Sequence, residues 1–256
     1  MSAPIEVRTD ERGVTRVALN RPERHNALDR ALIDALQATL SRLDSNTRAL
    51  VLEGRGRSFC AGADLDWMRA SVTLSAEENT ADAMALSALL DTLDTLPVPT
   101  VARVHGAAIG GGAGLVACCD VAVASERARF AFSEVRLGLI PATIGPYVVR
   151  AIGPRAARFH FLAAERFDAL EAYRIELVHD VCSQDDLDHR VTAHLDALLA
   201  GGRRAQAESK RLVADVAGRP VDETLRRDVA QRLADVRAGD EAQRALAAFL
   251  EGRGGD

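Results

Sequence analysis

Residues 99–145 have the sequence PTVARVHGAAIGGGAGLVACCDVAVASERARFAFSEVRLGLIPATIG, with the glycine triplet 110–112 near its centre. The apolar run 101–104 predicts a strand, the tiny residues 106–114 predict a loop, and helix-forming residues begin at Leu115. Because glycine has no Cβ, a ligand can reach the backbone N–H groups of such a loop. The first N–H groups of a helix lack partners and favour negative charge, so the stretch predicts an anion or oxyanion pocket.

A single carboxylate, Glu134, follows the triplet between aromatic residues and a Gly-Leu-Ile-Pro turn. This setting is more apolar than that of most surface carboxylates. N–H donors on one side and a carboxylate on the other are the arrangement that forms enolates. Two other interpretations stay open here. The triplet can serve close packing of helix on strand, and Glu134 can be a carboxylate in the first turn of a helix.

The composition is that of a globular protein, with 256 residues, 48% hydrophobic and 27% charged. No run approaches the roughly 18–20 apolar residues of a membrane span, and the first residues lack the apolar core of a signal peptide. We therefore predict a cytoplasmic protein. A net charge of −5 with a single lysine argues against nucleic-acid binding. The four cysteines have no metal-ligand spacing, so we interpret them as small buried hydrophobes and predict no metal site.

Periodic patterns alternate between strand and helix over most of the chain. Alternation across Gly13 predicts a hairpin, Asp29 caps a helix to about residue 43, and strand 48–53 enters a second glycine-rich turn, 54–65. Ser75 and Glu78 form a capping box for a helix that reaches Leu96. Further strands are predicted at 121–124, 128–132 and 177–181, and further helices at 144–152, 156–164, 186–199, 206–216, 221–237 and 241–250.

These patterns predict an α/β core of repeated ββα-like units over residues 1–185, followed by a helical region over 186–256. The last helix carries an apolar face made of Leu246, Phe249 and Leu250. An apolar face of this kind needs a partner, so we predict oligomerisation through the C-terminal helices.

Four segments, in this order and spacing, resemble the crotonase (enoyl-CoA hydratase/isomerase) superfamily: NRPERHNAL (20–28), FCAGADL (59–65), HGAAIGGG (105–112) and SEVRLGLIP (133–141). The resemblance covers nearly the whole chain. It implies a crotonase-like spiral of ββα units with a C-terminal helical trimerisation region. It also implies an acyl-CoA substrate, a homotrimer or dimer of trimers, and no cofactor, because coenzyme A is part of the substrate.

The resemblance assigns the site residues by position. It implies that the backbone N–H groups of Ala63 and Gly111 bind the thioester oxygen and that Glu134 is the catalytic carboxylate. Two-carboxylate members carry a first glutamate where this chain has Gly114. Arg253 stands where a C-terminal lysine often contacts the coenzyme A of the neighbouring subunit. The residues that the resemblance implies near the coenzyme A are Arg24, Ala27, Ala61, Asp64 and Leu65.

Segments 59–69, 114–120 and 133–149 are similar to bacterial methylglutaconyl-CoA and isohexenylglutaconyl-CoA hydratases. The resemblance therefore implies hydration of a branched glutaconyl-CoA, with Glu134 delivering water to the β-carbon and a proton to the α-carbon. Glycine at 114 would free room for the branch and spare an acidic substrate like-charge repulsion. Arg136 either meets the distal carboxylate or is an exposed helix residue. The alternatives are a Δ3,Δ2-enoyl-CoA isomerase that uses the single glutamate and, remotely, an RNA-binding role.

Overall fold

The computed structural model describes residues 3–252, so the predicted contact of Arg253 lies outside the described residues. The strands are β1 (Ile5–Thr9), β2 (Val14–Leu19), β3 (Ala49–Gly54), β4 (Thr100–Val104), β5 (Ala107–Ile109), β6 (Val121–Ser125), β7 (Arg129–Ala131), β8 (Phe167–Asp168) and β9 (Asp180–Cys182). The α-helices are α1 (Arg30–Leu40), α2 (Leu65–Ser71), α3 (Ala76–Asp94), α4 (Gly111–Ala117), α5 (Gly145–Ala163), α6 (Ala169–Arg174), α7 (Leu187–Leu199), α8 (Arg203–Val216), α9 (Glu223–Arg237) and α10 (Asp240–Leu250). Two short 3-10 helices cover Pro22–Arg24 and Glu134–Leu137.

The larger sheet has six strands in the order β1-β2-β3-β4-β6-β9. Its first two strands form the predicted antiparallel hairpin, and the following strands are parallel, with Val17 beside Leu52 and Leu52 beside Ala102. Every residue of β3 is buried. Strands of this kind need cover on both faces, and α1 supplies part of it through Leu32 and Leu36, which are fully buried.

The smaller sheet, β5-β7-β8, corrects the prediction that residues 106–114 form one continuous loop. Residues 107–109 form a strand whose Ala108 pairs with Phe130 in parallel. The side chains of this run are too small to show an alternating hydrophobic pattern, yet Ala108 is fully buried. The glycine triplet therefore connects a strand directly to α4.

The helix ends follow their predicted caps. The Asp29 carboxylate accepts the N–H of Leu32 at 2.8 Å, and Ser75 and Glu78 form both bonds of the capping box. The prediction of two helices over 144–164 is confirmed, because the backbone of α5 is non-helical at Gly153, where φ is 73°, and α5 is therefore two helices joined by a kink. The sequence predicts that the turn at 54–65 leads into a helix, and α2 begins at Leu65. The short helix α6 is not predicted, because six residues carry too little periodicity to be recognised.

The chain divides into two compact units, the first ending at Asp196 and the second beginning at Ala197. The sequence placed the division at 185, where strands give way to helices; β9 ends at Cys182, and most of α7 belongs to the first unit. In the second unit the Glu241 carboxylate accepts the N–H groups of Arg204 and Ala205 at 3.0 and 3.1 Å and so caps α8. Within residues 3–252, no helix has the length and apolar character needed to cross a bilayer.

Candidate active site

The glycine triplet forms a tight turn between β5 and α4. Gly110 has a φ of 50°, a conformation that other residues rarely adopt, and its N–H donates to the carbonyl of Ala131 at 2.8 Å. This bond fastens the turn to β7. The helix α4 then begins at Gly111 without a side-chain cap. The position of the Gly111 N–H is therefore fixed by backbone geometry alone.

Two backbone N–H groups, those of Ala63 and Gly111, have no hydrogen-bond acceptor within the part of the chain that the structure describes. The neighbours of Ala63 are paired on both sides. The carbonyl of Gly62 accepts the N–H of Leu28 at 2.7 Å, and the N–H of Asp64 donates to the carbonyl of Leu28 at 2.8 Å. Since backbone N–H groups in folded proteins are nearly always bonded, these two are available to a ligand or to water.

The turns that carry these two N–H groups lie side by side. The N–H of Cys60 donates to the carbonyl of Ala107 at 2.9 Å, and the N–H of Ile109 donates to the carbonyl of Cys60 at 3.0 Å. A Cβ on Gly112 would overlap the Cys60 carbonyl oxygen. The close approach of the two turns therefore requires glycine at 112.

The Glu134 carboxylate lies against the glycine turn. Its Oε1 is 2.9 Å from the point that a Cβ on Gly110 would occupy, and its buried Oε2 has no hydrogen-bond partner among the described residues. Burial raises the pKa of Glu134, and only its own backbone N–H acts in the opposite direction. Glu134 begins a 3-10 helix, so it does lie in a first helical turn. A partly desolvated carboxylate with one unpaired oxygen is nevertheless suited to exchange a proton with a ligand at the turn.

Gly114 lies inside α4 and is buried. A Cβ there would lie 2.9 Å from Cβ of Ile144 and would overlap Cγ2 of the same side chain. The hypothesis that glycine at 114 frees room for a branched acyl chain is therefore wrong, because Ile144 fills the space that a side chain at 114 would need. The like-charge argument for glycine at this position stays a prediction.

A groove of about 340 Å³ lies beside α2. It contains Arg24 and Asp64, two of the residues that the sequence assigned to coenzyme A. Arg24 is exposed and pairs with Asp66 at 3.0 Å, whereas Asp64 is buried and caps α2. Trp67 also lines the groove, and its indole N–H donates to Asp82 at 2.9 Å. The groove therefore offers guanidinium groups for phosphate and an aromatic surface for stacking.

The other residues assigned to coenzyme A lie on the same two loops or directly after them, and they do not line the groove. Ala27 is buried, and Ala61 donates its N–H to the carbonyl of His25 at 3.0 Å. Leu65 is the first residue of α2 and is largely exposed. Arg136 is exposed on the turn that follows Glu134.

Sequence analysis did not single out Arg21 and Asn26, although both belong to the motif at 20–28. Asn26 is fully buried, with its side-chain amide donating to the carbonyls of Arg55 and Ser58 at 2.9 and 2.7 Å and its Oδ1 accepting the N–H of Arg21 at 2.9 Å. The motif at 20–28 was the signal that could have identified them, since a buried asparagine in a loop holds the loop in place through hydrogen bonds to backbone groups.

A larger cavity, of about 570 Å³, contains neither Glu134 nor the glycine turn. Four of its charged residues form two ion pairs, Arg16 with Glu53 at 3.0 Å and Arg103 with Asp188 at 2.6 Å. The glycine turn, and not this cavity, is therefore the candidate active site.

The cysteines match their predicted role in part. Three of them are buried and Cys182 is half-buried, all as free thiols. Burial raises the pKa of Cys60 to about 12, although a backbone hydrogen bond from Gly62 lowers it. A thiol with so high a pKa is not a nucleophile at neutral pH.

A family model described as enoyl-CoA hydratase/isomerase matches residues 9–255. The chain belongs to this family. The fold is similar to that of an enoyl-CoA hydratase from Shewanella pealeana, with a TM-score of 0.95 and 40% identity over 98% of this chain and 94% of that one. It is also similar to AtuE from Pseudomonas aeruginosa, with a TM-score of 0.93 and 37% identity over 98% and 97% of the two chains.

A curated relative, the enoyl-CoA hydratase AKT6-1 of Alternaria alternata, is 32% identical over 94% of this chain and 80% of its own length. These similarities confirm the predicted membership of the enoyl-CoA hydratase/isomerase family and the α/β fold of that family. The closer similarity to methylglutaconyl-CoA hydratases stays a prediction.

Proposed function

We propose that this protein adds water to an α,β-unsaturated acyl-CoA thioester. The observation that carries the proposal is the buried, unpaired Oε2 of Glu134 beside a turn with an unbonded N–H at Gly111. A second unbonded N–H, that of Ala63, belongs to the adjoining turn. Two such donors would bind the thioester oxygen and stabilise its charge as an enolate forms.

Glu134 would perform both proton transfers of the reaction. Its ionised form removes a proton from water as the oxygen bonds to the β-carbon, and electrons move from the double bond to the thioester oxygen. The protonated carboxyl then gives its proton to the α-carbon, which restores the thioester carbonyl. The sum is the addition of one water molecule, and Glu134 ends ionised as it began.

Within this proposal, the substrate is 3-methylglutaconyl-CoA or a related branched glutaconyl-CoA. The support is the similarity of segments 59–69, 114–120 and 133–149 to hydratases of such substrates. Glycine in place of glutamate at 114 adds to this support, because a second carboxylate there would repel an acidic acyl chain. Arg24 would bind a phosphate of coenzyme A by releasing its exposed pair with Asp66.

The second candidate function is Δ3,Δ2-enoyl-CoA isomerisation, which the single carboxylate favours. Moving a proton between two carbons of an enolate requires one base and no bound water. Turnover of 3-methylglutaconyl-CoA, crotonyl-CoA and 3-hexenoyl-CoA by the wild type, Glu134→Gln and Glu126→Gln distinguishes the two. Glu126 is exposed and serves as the matched control.

We further propose a homotrimer or dimer of trimers assembled through the C-terminal helices. Leu246, Phe249 and Leu250 of α10 are exposed, and apolar faces of this kind are usually covered by a partner. Sedimentation at micromolar protein tests the assembly: a monomeric mass would contradict it.

A further inference from the structure

The guanidinium of Arg21 joins the N-terminal caps of two helices. One terminal nitrogen lies 2.8 Å from Oδ2 of Asp29 and donates to the carbonyl of Ala27 at 2.8 Å, while the other donates to Oδ2 of Asp64 at 3.1 Å. The Arg21 side chain is 18% exposed and that of Asp64 is 5% exposed. These are charge-assisted bonds in a largely desolvated place, so they hold their partners firmly.

Each carboxylate divides its two oxygens between Arg21 and a helix. Asp29 caps α1 by accepting the N–H of Leu32 at 2.8 Å. Asp64 caps α2 by accepting the N–H of Asp66 at 2.9 Å. Burial opposes the charge of Asp64, but these backbone bonds and Arg21 together lower its pKa below the usual range. Asp64 is therefore an anion fixed at both oxygens.

Ala63 immediately precedes this fixed aspartate. Its peptide plane is shared with Gly62, whose carbonyl is bonded to Leu28, and the next peptide is fixed by the bond from the Asp64 N–H to Leu28. Arg21 holds both sides of this arrangement, because it also binds Ala27, the residue before Leu28. The direction of the unbonded Ala63 N–H is thus set by contacts that converge on one guanidinium.

We propose that Arg21 is a positioning residue that aims the Ala63 N–H at the thioester oxygen. This inference rests on the proposed function, in which that N–H binds the developing oxyanion. Lysine cannot replace arginine in this role, because one ammonium cannot span two carboxylates and a carbonyl with the planar geometry of the guanidinium. Asn26 in turn holds Arg21, because the backbone N–H of Arg21 donates to Oδ1 of Asn26.

The test compares Arg21→Lys with Arg55→Lys. Arg55 also joins two carboxylates, Glu6 at 2.8 Å and Glu53 at 3.4 Å, but within the described residues its guanidinium forms no hydrogen bond or ion pair with residues 60–64. Loss of one oxyanion donor lowers kcat by about 10²–10³-fold, so misalignment should lower kcat of Arg21→Lys on crotonyl-CoA by about 10–100-fold. Arg21 also lines the groove, but its guanidinium is bonded to Asp29, Ala27 and Asp64, so we expect KM to change less than about threefold. Arg55→Lys should match the wild type.

A second readout reports carbonyl polarisation without turnover. A cinnamoyl-CoA with a para-dimethylamino group absorbs at longer wavelength when its carbonyl accepts strong hydrogen bonds. Wild type and Arg55→Lys should shift this absorption equally, and Arg21→Lys should lose at least half of the shift at saturating probe. Asp64→Asn keeps an acceptor oxygen for the α2 cap while losing the ion pair, and it should reproduce the effect if Arg21→Lys does not fold.

The outcomes separate this inference from the function on which it rests. If the wild type neither turns over enoyl-CoA nor shifts the probe, both fail. If the wild type does both while Arg21→Lys and Asp64→Asn keep a full shift and kcat, the role of Arg21 alone is refuted. An increase in KM with unchanged kcat would also refute it, because that result assigns Arg21 to coenzyme A binding.

Discussion

A Cβ atom on Gly114 would lie 2.9 Å from Cβ of Ile144 and would overlap its Cγ2 atom. The two residues are therefore complementary: glycine in α4 leaves the space that isoleucine at the start of α5 fills. A second catalytic glutamate cannot be introduced at 114 unless Ile144 is also shortened.

We expect Gly114→Ala to lower the free energy of unfolding by about 1–3 kcal/mol, as overpacking in a core typically does. Chemical denaturation measures this change. The matched control is Gly145→Ala, because a Cβ on Gly145 has no atom within 4 Å. That control should be neutral or should stabilise by up to about 1 kcal/mol, since alanine favours helix.

The double variant Gly114→Ala with Ile144→Ala tests whether the two residues share the space. Ile144→Ala alone leaves a cavity and should cost about 2–5 kcal/mol. Because the added Cβ then occupies part of that cavity, the double variant should lose less stability than the sum of the two single variants. Strict additivity would show that the two positions are independent.

Glu134→Gln is expected to stabilise the protein near neutral pH while abolishing its activity. Folding raises the pKa of Glu134. The stability that this carboxyl contributes is therefore fully present below its unfolded pKa of about 4.3 and is lost as the pH rises through the folded pKa. Glutamine avoids that loss. The unfolding midpoint of Glu134→Gln in chemical denaturation should exceed that of the wild type at neutral pH and should converge with it in acid. Glu126→Gln should show no such difference.

The pH dependence of kcat/KM should contain an acid limb that belongs to Glu134. The reaction requires the ionised carboxylate, and burial holds its pKa above the ordinary value, so activity should fall on acidification at a pH above about 4.3. The rates should be measured with enzyme shown to be folded across the range. A profile flat down to the ordinary carboxyl range would contradict the assignment of Glu134 as the base.

The single tryptophan allows binding in the groove to be measured directly, since Trp67 lines it. We expect free coenzyme A to change the Trp67 fluorescence and Arg24→Met to weaken this binding by about 10–150-fold, the cost of one charge-assisted contact. Arg69→Met is the matched control, because Arg69 also pairs with Asp66, at 2.7 Å, but does not line the groove. Equal weakening in both variants would point to Asp66 and not to Arg24.

The sequence was most informative where a cap or an alternating pattern marks an element. The hairpin around Gly13, the cap at Asp29 and the capping box at Ser75 are all present in the structure. Such signals are local, so a sequence displays them fully. The family motifs extended this success to the overall fold.

Contacts between residues that are far apart in the chain could not be predicted from the sequence. No feature of the sequence near Gly114 indicates that Ile144, thirty residues later, occupies its side-chain space. No feature near Arg21 indicates that its guanidinium pairs with both Asp29 and Asp64. The burial of Glu134 was inferred from neighbouring aromatics, but the absence of any partner for its Oε2 depends on the tertiary fold.

The central claim is that Glu134 is the only carboxylate needed to hydrate an enoyl-CoA at the glycine turn. The most direct test is the rate of hydration of 3-methylglutaconyl-CoA by the wild type and by Glu134→Gln, with 3-hexenoyl-CoA measured beside it. We predict hydration by the wild type and a loss of about 10²–10⁴-fold in the variant. Turnover of 3-hexenoyl-CoA alone, or hydration that survives in Glu134→Gln, would contradict the claim.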